Sequence, residues 1–176
     1  QERTMDIKEY IDIHFNDALK SIIEIIRIKT VKAEKAGDAP YGTELKKGLN
    51  KVLEIAQSLG FKTKNLDNYI GYAEYGEGEE YIAVLGHIDV VPEGDEASWS
   101  VPPYEGFIVN NQLTARGAID NKAPIISVLY SLKAVVDTHP EFNKRVRIIF
   151  GTNEESGDED IKYYLAREKE PKYAFT

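Results

Sequence analysis

The sequence contains no cysteine. Disulfides and thiolate metal ligands are therefore excluded, and any bound metal must be held by histidine, aspartate and glutamate. Long apolar runs are also missing: none approaches the ~20 residues a membrane-spanning helix needs. Residues 1–4, ahead of Met5, carry no apolar signal-peptide core and read as a remnant outside the native chain. Excess positive charge is absent too, since 22 Lys and Arg stand against 30 Asp and Glu, a net charge of -8. The acidic residues are spread along the chain, which argues against nucleic acid or anionic membrane as the main partner. The expectation is a cytoplasmic protein, and 176 residues suffice for one domain with a sizeable core.

What is present is alternation of helical and strand patterns. Ile7, Ile11, Phe15, Leu19, Ile22, Ile23 and Ile26 recur at helical spacing over 6–29, with Asp6 as the cap. A second helix is expected over 44–59, stopped by Gly60. A short strand at 61–66 follows. Strands at 69–75 and 80–85 flank Gly76-Glu77-Gly78, which reads as a hairpin rather than a nucleotide loop, because a strand follows it and its glutamate would repel phosphate. A second hairpin over 106–115 turns at Asn110-Asn111. Residues 124–136 are apolar nearly all round and predict a buried helix with Pro124 in its first turn. A strand over 145–150, a helix over 158–167 with an acidic start and a strand beginning at 172 complete the order. There is no internal repeat. The fold class expected is α/β, a mixed central sheet flanked by helices.

Three polar clusters share one kind of position. His87 and Asp89 come just after the strand ending near Leu85, Glu154 and Glu155 just after the strand ending at Phe150, and Asp120 after the strand near Leu113. Ligands in open α/β sheets collect beyond the carboxyl ends of strands, so these five residues are expected to converge. In extended backbone, residues i and i+2 lie on one side. Asp89 can thus reach one nitrogen of His87, fixing the tautomer while the other nitrogen binds metal. Of two adjacent glutamates, one can bind metal while the other remains free as a general base. Read singly, Asp120 could equally cap the following helix and Glu154-Glu155 could be a solvated pair. His14 and His139 have no partner pattern and are read as structural.

Taken together, four stretches resemble family twenty of the metallopeptidases, the family of aminoacylases, desuccinylases, carnosinases and PepV-type dipeptidases. They are Gly86-His87-Ile88-Asp89-Val90-Val91-Pro92, Trp99 with Pro102-Pro103, Ala115-Arg116-Gly117-Ala118-Ile119-Asp120-Asn121-Lys122, and Gly151-Thr152-Asn153-Glu154-Glu155-Ser156. Residues 60–69 look most like the PepV-type branch. The resemblance implies a zinc-peptidase-like catalytic domain. It implies that His87 binds one of two divalent metal ions and Asp89 orients it. Asp120 bridges the two ions, followed by a cis peptide bond, Glu155 binds the second and Glu154 is the general base. Zinc is the expected ion, with cobalt or manganese as alternatives. Ala123 departs from the family's usual glycine. The family's remaining ligands and its lid domain would lie beyond Thr176. Residues 1–176 are therefore expected to be a truncated amino-terminal portion of the catalytic domain, inactive alone and able to dimerise through the surface so exposed. The whole protein would be a dipeptidase. The runner-up is an N-acyl amino acid deacylase, so the substrate is a dipeptide or a small N-acyl amino acid.

Overall fold

A computed structural model describes residues 5–176, so the reading of residues 1–4 lies outside the described residues. Asp6 caps helix α1 (Ile7–Ile26) by accepting the Glu9 backbone N–H at 2.8 Å. Only the second half of its apolar stripe is buried, at Ile22, Ile25 and Ile26, where the helix lies over α3; Ile11 and Phe15 stay exposed. Helix α2 (Thr43–Ser58) ends where Gly60 takes a left-handed φ of 90°. Strands β1 (Lys62–Leu66), β2 (Ile70–Tyr75) and β3 (Ile82–His87) follow, then a separate two-stranded sheet of β4 (Phe107–Val109) and β5 (Gln112–Thr114). Helix α3 (Ala123–Thr138), β6 (Val146–Gly151), α4 (Glu159–Leu165) and β7 (Tyr173–Phe175) complete the chain.

The central sheet is mixed, in the order β1-β2-β6-β3-β7. This corrects the hairpin expected at Gly76–Gly78: β2 and β3 do not pair, because β6 lies between them, antiparallel to β2 and parallel to β3. A Cβ on Gly76 would stand 2.5 Å from the Lys144 carbonyl, so the chain entering β6 occupies the space a β2–β3 hairpin would need. The hairpin is instead β1–β2, turning through Asp67-Asn68 with both residues left-handed. Those two residues carry the turn chemistry of a type I′ loop, and sequence reading passed over them. The hairpin at Asn110-Asn111 forms as expected, again with both residues left-handed.

Alternation along β6 divides the core into two layers. Ile148 and Phe150 face the main cluster with Leu49 and Val52 of α2 and Ile126 and Leu129 of α3. Ile149 faces a smaller cluster with Ile70, Tyr72, Tyr81 and Tyr164. Arg147 lies on that second face at 3% exposure, bonded to Glu74, Glu168 and the Tyr164 hydroxyl, with Tyr72 and Tyr81 rings against its guanidinium. The parallel β3–β6 pair matters most for the site, because its register sets His87 opposite Gly151 and brings the two following segments together.

Candidate metal centre

His87 is the last residue of β3 and is buried. Its backbone N–H donates to Asn121 Oδ1 at 3.1 Å. A Cβ on Gly86 would fall 2.6 Å from that oxygen and 2.5 Å from Ile125 Cδ1, so the approach needs glycine there. The ring is held on both sides. Nδ1 lies 2.9 Å from the Asp89 carbonyl oxygen and 3.2 Å from Asp89 Oδ1. Nε2 lies 2.9 Å from Asp120 Oδ1 and 3.6 Å from Glu154 Oε2.

Asp89, 1% exposed, does more than face the imidazole. Its Oδ1 accepts the Glu154 backbone N–H at 3.2 Å and its Oδ2 accepts that of Glu155 at 3.0 Å. One buried carboxylate therefore fixes both the histidine and the two-glutamate turn. Buried Asp160 secures the other side of that turn by accepting the Thr152 and Asn153 N–H groups at 2.7 and 3.2 Å.

Asp120 reaches the site by a route that differs from the expected one. The strand before it, β5, belongs to the small separate sheet, so Asp120 does not sit at a strand end of the central sheet. It is presented by the irregular turn 118–122 that leads into α3, and the Asp120-Asn121 peptide bond is cis. The three residues His87, Asp120 and Glu155 nonetheless offer donor atoms within 4.8 Å of one another. Glu154 stands beside them with its side chain half exposed. His14 and His139 lie elsewhere: His14 faces Asp17 and Tyr10 on α1, and His139 pairs with Thr138.

The electrostatics calls for a cation. Burial alone would lower the His87 pKa, but the hydrogen bond and charge of Asp89, with Glu154, outweigh it and raise the imidazole to about 9. Burial, then the charges of Asp120 and Glu154, push the Glu155 carboxyl up. Carboxylates crowded on a buried imidazole favour a bound positive charge. A His/Asp/Glu donor set with a carboxylate behind the imidazole suits a divalent metal ion.

Sequence reading gave no role to Thr30, Asn121 or Lys122. Lys122 is fully buried beside the site, and burial lowers its amine to about 7 against the opposing charge of Asp89. The readable signal was a lysine two residues from Asp120 at the head of an apolar helix.

The family model for "Peptidase family M20/M25/M40" matches residues 83–176. The chain belongs to this family. "Putative dipeptidase YtjP" of Bacillus subtilis (strain 168) is 41% identical over 161 residues, covering 90% of this chain and 34% of that protein. The chain thus spans about a third of the length of the relative it matches. Among solved structures, human carnosine dipeptidase 1 has a TM-score of 0.74 at 22% identity, over 92% of this chain and 37% of that one. The family's metallo-carboxypeptidase Sso-CP2 from Sulfolobus solfataricus has a TM-score of 0.69 at 25% identity, over 85% of this chain and 33% of that one. The family is metal-dependent, and its members carry the α/β fold seen here. Among the described residues of this M20-family chain, no helix is long and apolar enough to cross a membrane.

Proposed function

We propose that the protein carrying this chain is a cytoplasmic dipeptidase that uses two divalent ions, with residues 1–176 forming the amino-terminal portion of its catalytic domain. The observation that carries the reading is the convergence of His87, Asp120 and Glu155 donor atoms within 4.8 Å, with Glu154 at the rim. His87 would hold one ion through Nε2, Glu155 the other, and Asp120 both. Bound ions of this kind supply Lewis acidity and lower the pKa of a water. Asp89 keeps the His87 Nδ1 side engaged, leaving Nε2 as the donor, and it holds the Glu154-Glu155 turn through two N–H groups. Glu154, half exposed and free of any ligand role, takes a proton from the attacking water at its carboxylate and returns it to the leaving amine.

Names of relatives support a dipeptide substrate, since the B. subtilis relative is called a dipeptidase. Zinc is the ion proposed, with cobalt and manganese as alternatives. The test is a panel of free dipeptides and N-acyl amino acids offered to the full-length protein with each ion in turn. Cleavage of dipeptides is the expected result; cleavage of N-acyl amino acids alone would make it a deacylase.

A further inference from the structure

Lys122 is a fully buried lysine with no carboxylate partner among its hydrogen bonds. Its Nζ donates to two main-chain carbonyls, Ile25 at 3.0 Å and Ile28 at 2.8 Å. Ile25 lies in the last turn of α1, which has no basic residue of its own, and Ile28 lies just past the end of that helix. Both carbonyls also accept main-chain N–H groups, Ile25 that of Ile28 at 3.1 Å and Ile28 that of Thr30 at 2.8 Å, so the lysine adds a further donor to each. Here the lysine comes from 97 and 94 residues further along the chain. An amine has enough hydrogens for both carbonyls whether charged or neutral.

The α1 terminus is connected onward to the histidine segment. Thr30 Oγ1 donates to the Ile88 carbonyl at 2.5 Å, and the Val90 N–H donates to the Thr30 carbonyl at 3.0 Å. Val31 and Val90 form a parallel bridge. These bonds lie on both sides of Asp89 and one residue from His87. On the other side, Lys122 is two residues from Asp120, and its own N–H closes the turn on the Gly117 carbonyl at 2.9 Å. That turn lies tight on the lysine stem: a Cβ on Gly117 would meet Val90 Cγ1 at 2.7 Å and Lys122 Cδ at 3.1 Å.

We propose that Lys122 is a positioning residue that locks the Asp120 turn to the His87-Asp89 segment through the end of α1 and Thr30, and so sets the geometry in which Asp120 and His87 share a metal. This rests on the metal-site reading above. A plain core role would make Lys122 matter for stability alone. The locking role makes metal affinity and turnover fall while substrate affinity holds.

The test compares Lys122→Met, Thr30→Val and Thr138→Val in the full-length protein. The Met side chain fills the lysine channel without donors, and Thr30→Val removes the hydroxyl link without touching a proposed ligand. Thr138 loses a comparable buried hydroxyl bond, to the Ala134 carbonyl, at the far end of α3. Zinc affinity is read by competition with a chelator, and kcat and KM are read on a dipeptide at saturating zinc, all below each variant's melting temperature. Expected are a tenfold or greater loss of zinc affinity in Lys122→Met and a three- to tenfold loss in Thr30→Val. In both, kcat falls with KM within twofold, while Thr138→Val matches the wild type. Folded Lys122→Met with wild-type zinc affinity and kcat overturns the proposal. If Lys122→Met does not fold, Thr30→Val decides alone, and wild-type zinc affinity in it overturns the proposal. The same result in Thr138→Val as in Thr30→Val also overturns it, since the effect would then be general destabilisation. Wild-type protein that takes up no zinc overturns the metal-site reading itself, and the lock with it.

Discussion

Removing the Asp89 carboxylate should cost stability even without metal, because its oxygens hold the backbone of the facing turn. In Asp89→Ala, the N–H groups of Glu154 and Glu155 lose acceptors at 3.2 and 3.0 Å, and His87 loses the carboxylate beside Nδ1. A hydrogen bond to a charged group contributes roughly 1.5–3 kcal/mol. Glu154 and Glu155 are not buried, so water can reach their amides and the lower end applies. The expected loss is about 3 kcal/mol for Asp89→Ala, taken as two such bonds at that lower end. Asp89→Asn retains one acceptor oxygen but turns an NH2 toward a donor, and about half that loss is expected. The assay is urea unfolding in chelator, with amide hydrogen exchange at Glu154 and Glu155 as the local readout. An alanine variant within about 0.5 kcal/mol of wild type, with unchanged exchange at those two amides, would refute the clamp.

Three further outcomes are expected. Arg147→Met removes the buried partner of Glu74 and Glu168, which keep Arg145 and Lys64, so a loss of about 1–3 kcal/mol is expected on denaturant unfolding. Gly86→Ala forces Asn121 Oδ1 and Ile125 apart from the strand, so a loss of about 1–3 kcal/mol should appear in urea titration, together with weaker metal retention. Glu93 accepts from Lys29 and Tyr104, and the Lys29 hydrogen bond, followed by Glu93's own backbone and Tyr104, holds its carboxyl down to about 2 from 4.5. Its folded value is the lower one, so its stabilisation is fully present above pH 4.5 and is lost as pH falls from 4.5 toward 2. Urea midpoints of wild type and Glu93→Gln should therefore differ at pH 6 and converge near pH 2.

Much of the fold was readable because local chemistry and tertiary position agree. Asp6, Gly60, Asn110-Asn111 and Pro124 each mark a boundary by a mechanism that does not depend on distant residues. The Gly76–Gly78 turn misled because strand adjacency in sequence says nothing about which strand is inserted later. The insertion of β6, with Lys144 packed on Gly76, decides it, and that contact joins residues far apart in the sequence. Helix α1 misled in degree, since periodicity marks an apolar face without saying how far along it a neighbour extends. At the site, His87, Asp89, Glu154 and Glu155 were legible from strand ends. Asp120 was grouped with them by the strand near Leu113, but that strand belongs to another sheet, so its position rests on the turn before α3 instead. Main-chain partners leave no sequence signature, so the N–H groups of the glutamate turn that donate to Asp89 and the carbonyls that accept from Lys122 were invisible.

The central claim, that this cluster separates metal holding from proton transfer, is tested most directly by elemental analysis of the full-length protein beside its Asp120→Asn and Glu154→Gln variants. The wild type should retain close to two divalent ions per chain after desalting. Asp120→Asn should lose metal, whereas Glu154→Gln should retain wild-type metal content and lose most dipeptide turnover. Equal metal loss in both variants, or full metal retention in Asp120→Asn, would contradict the assignment.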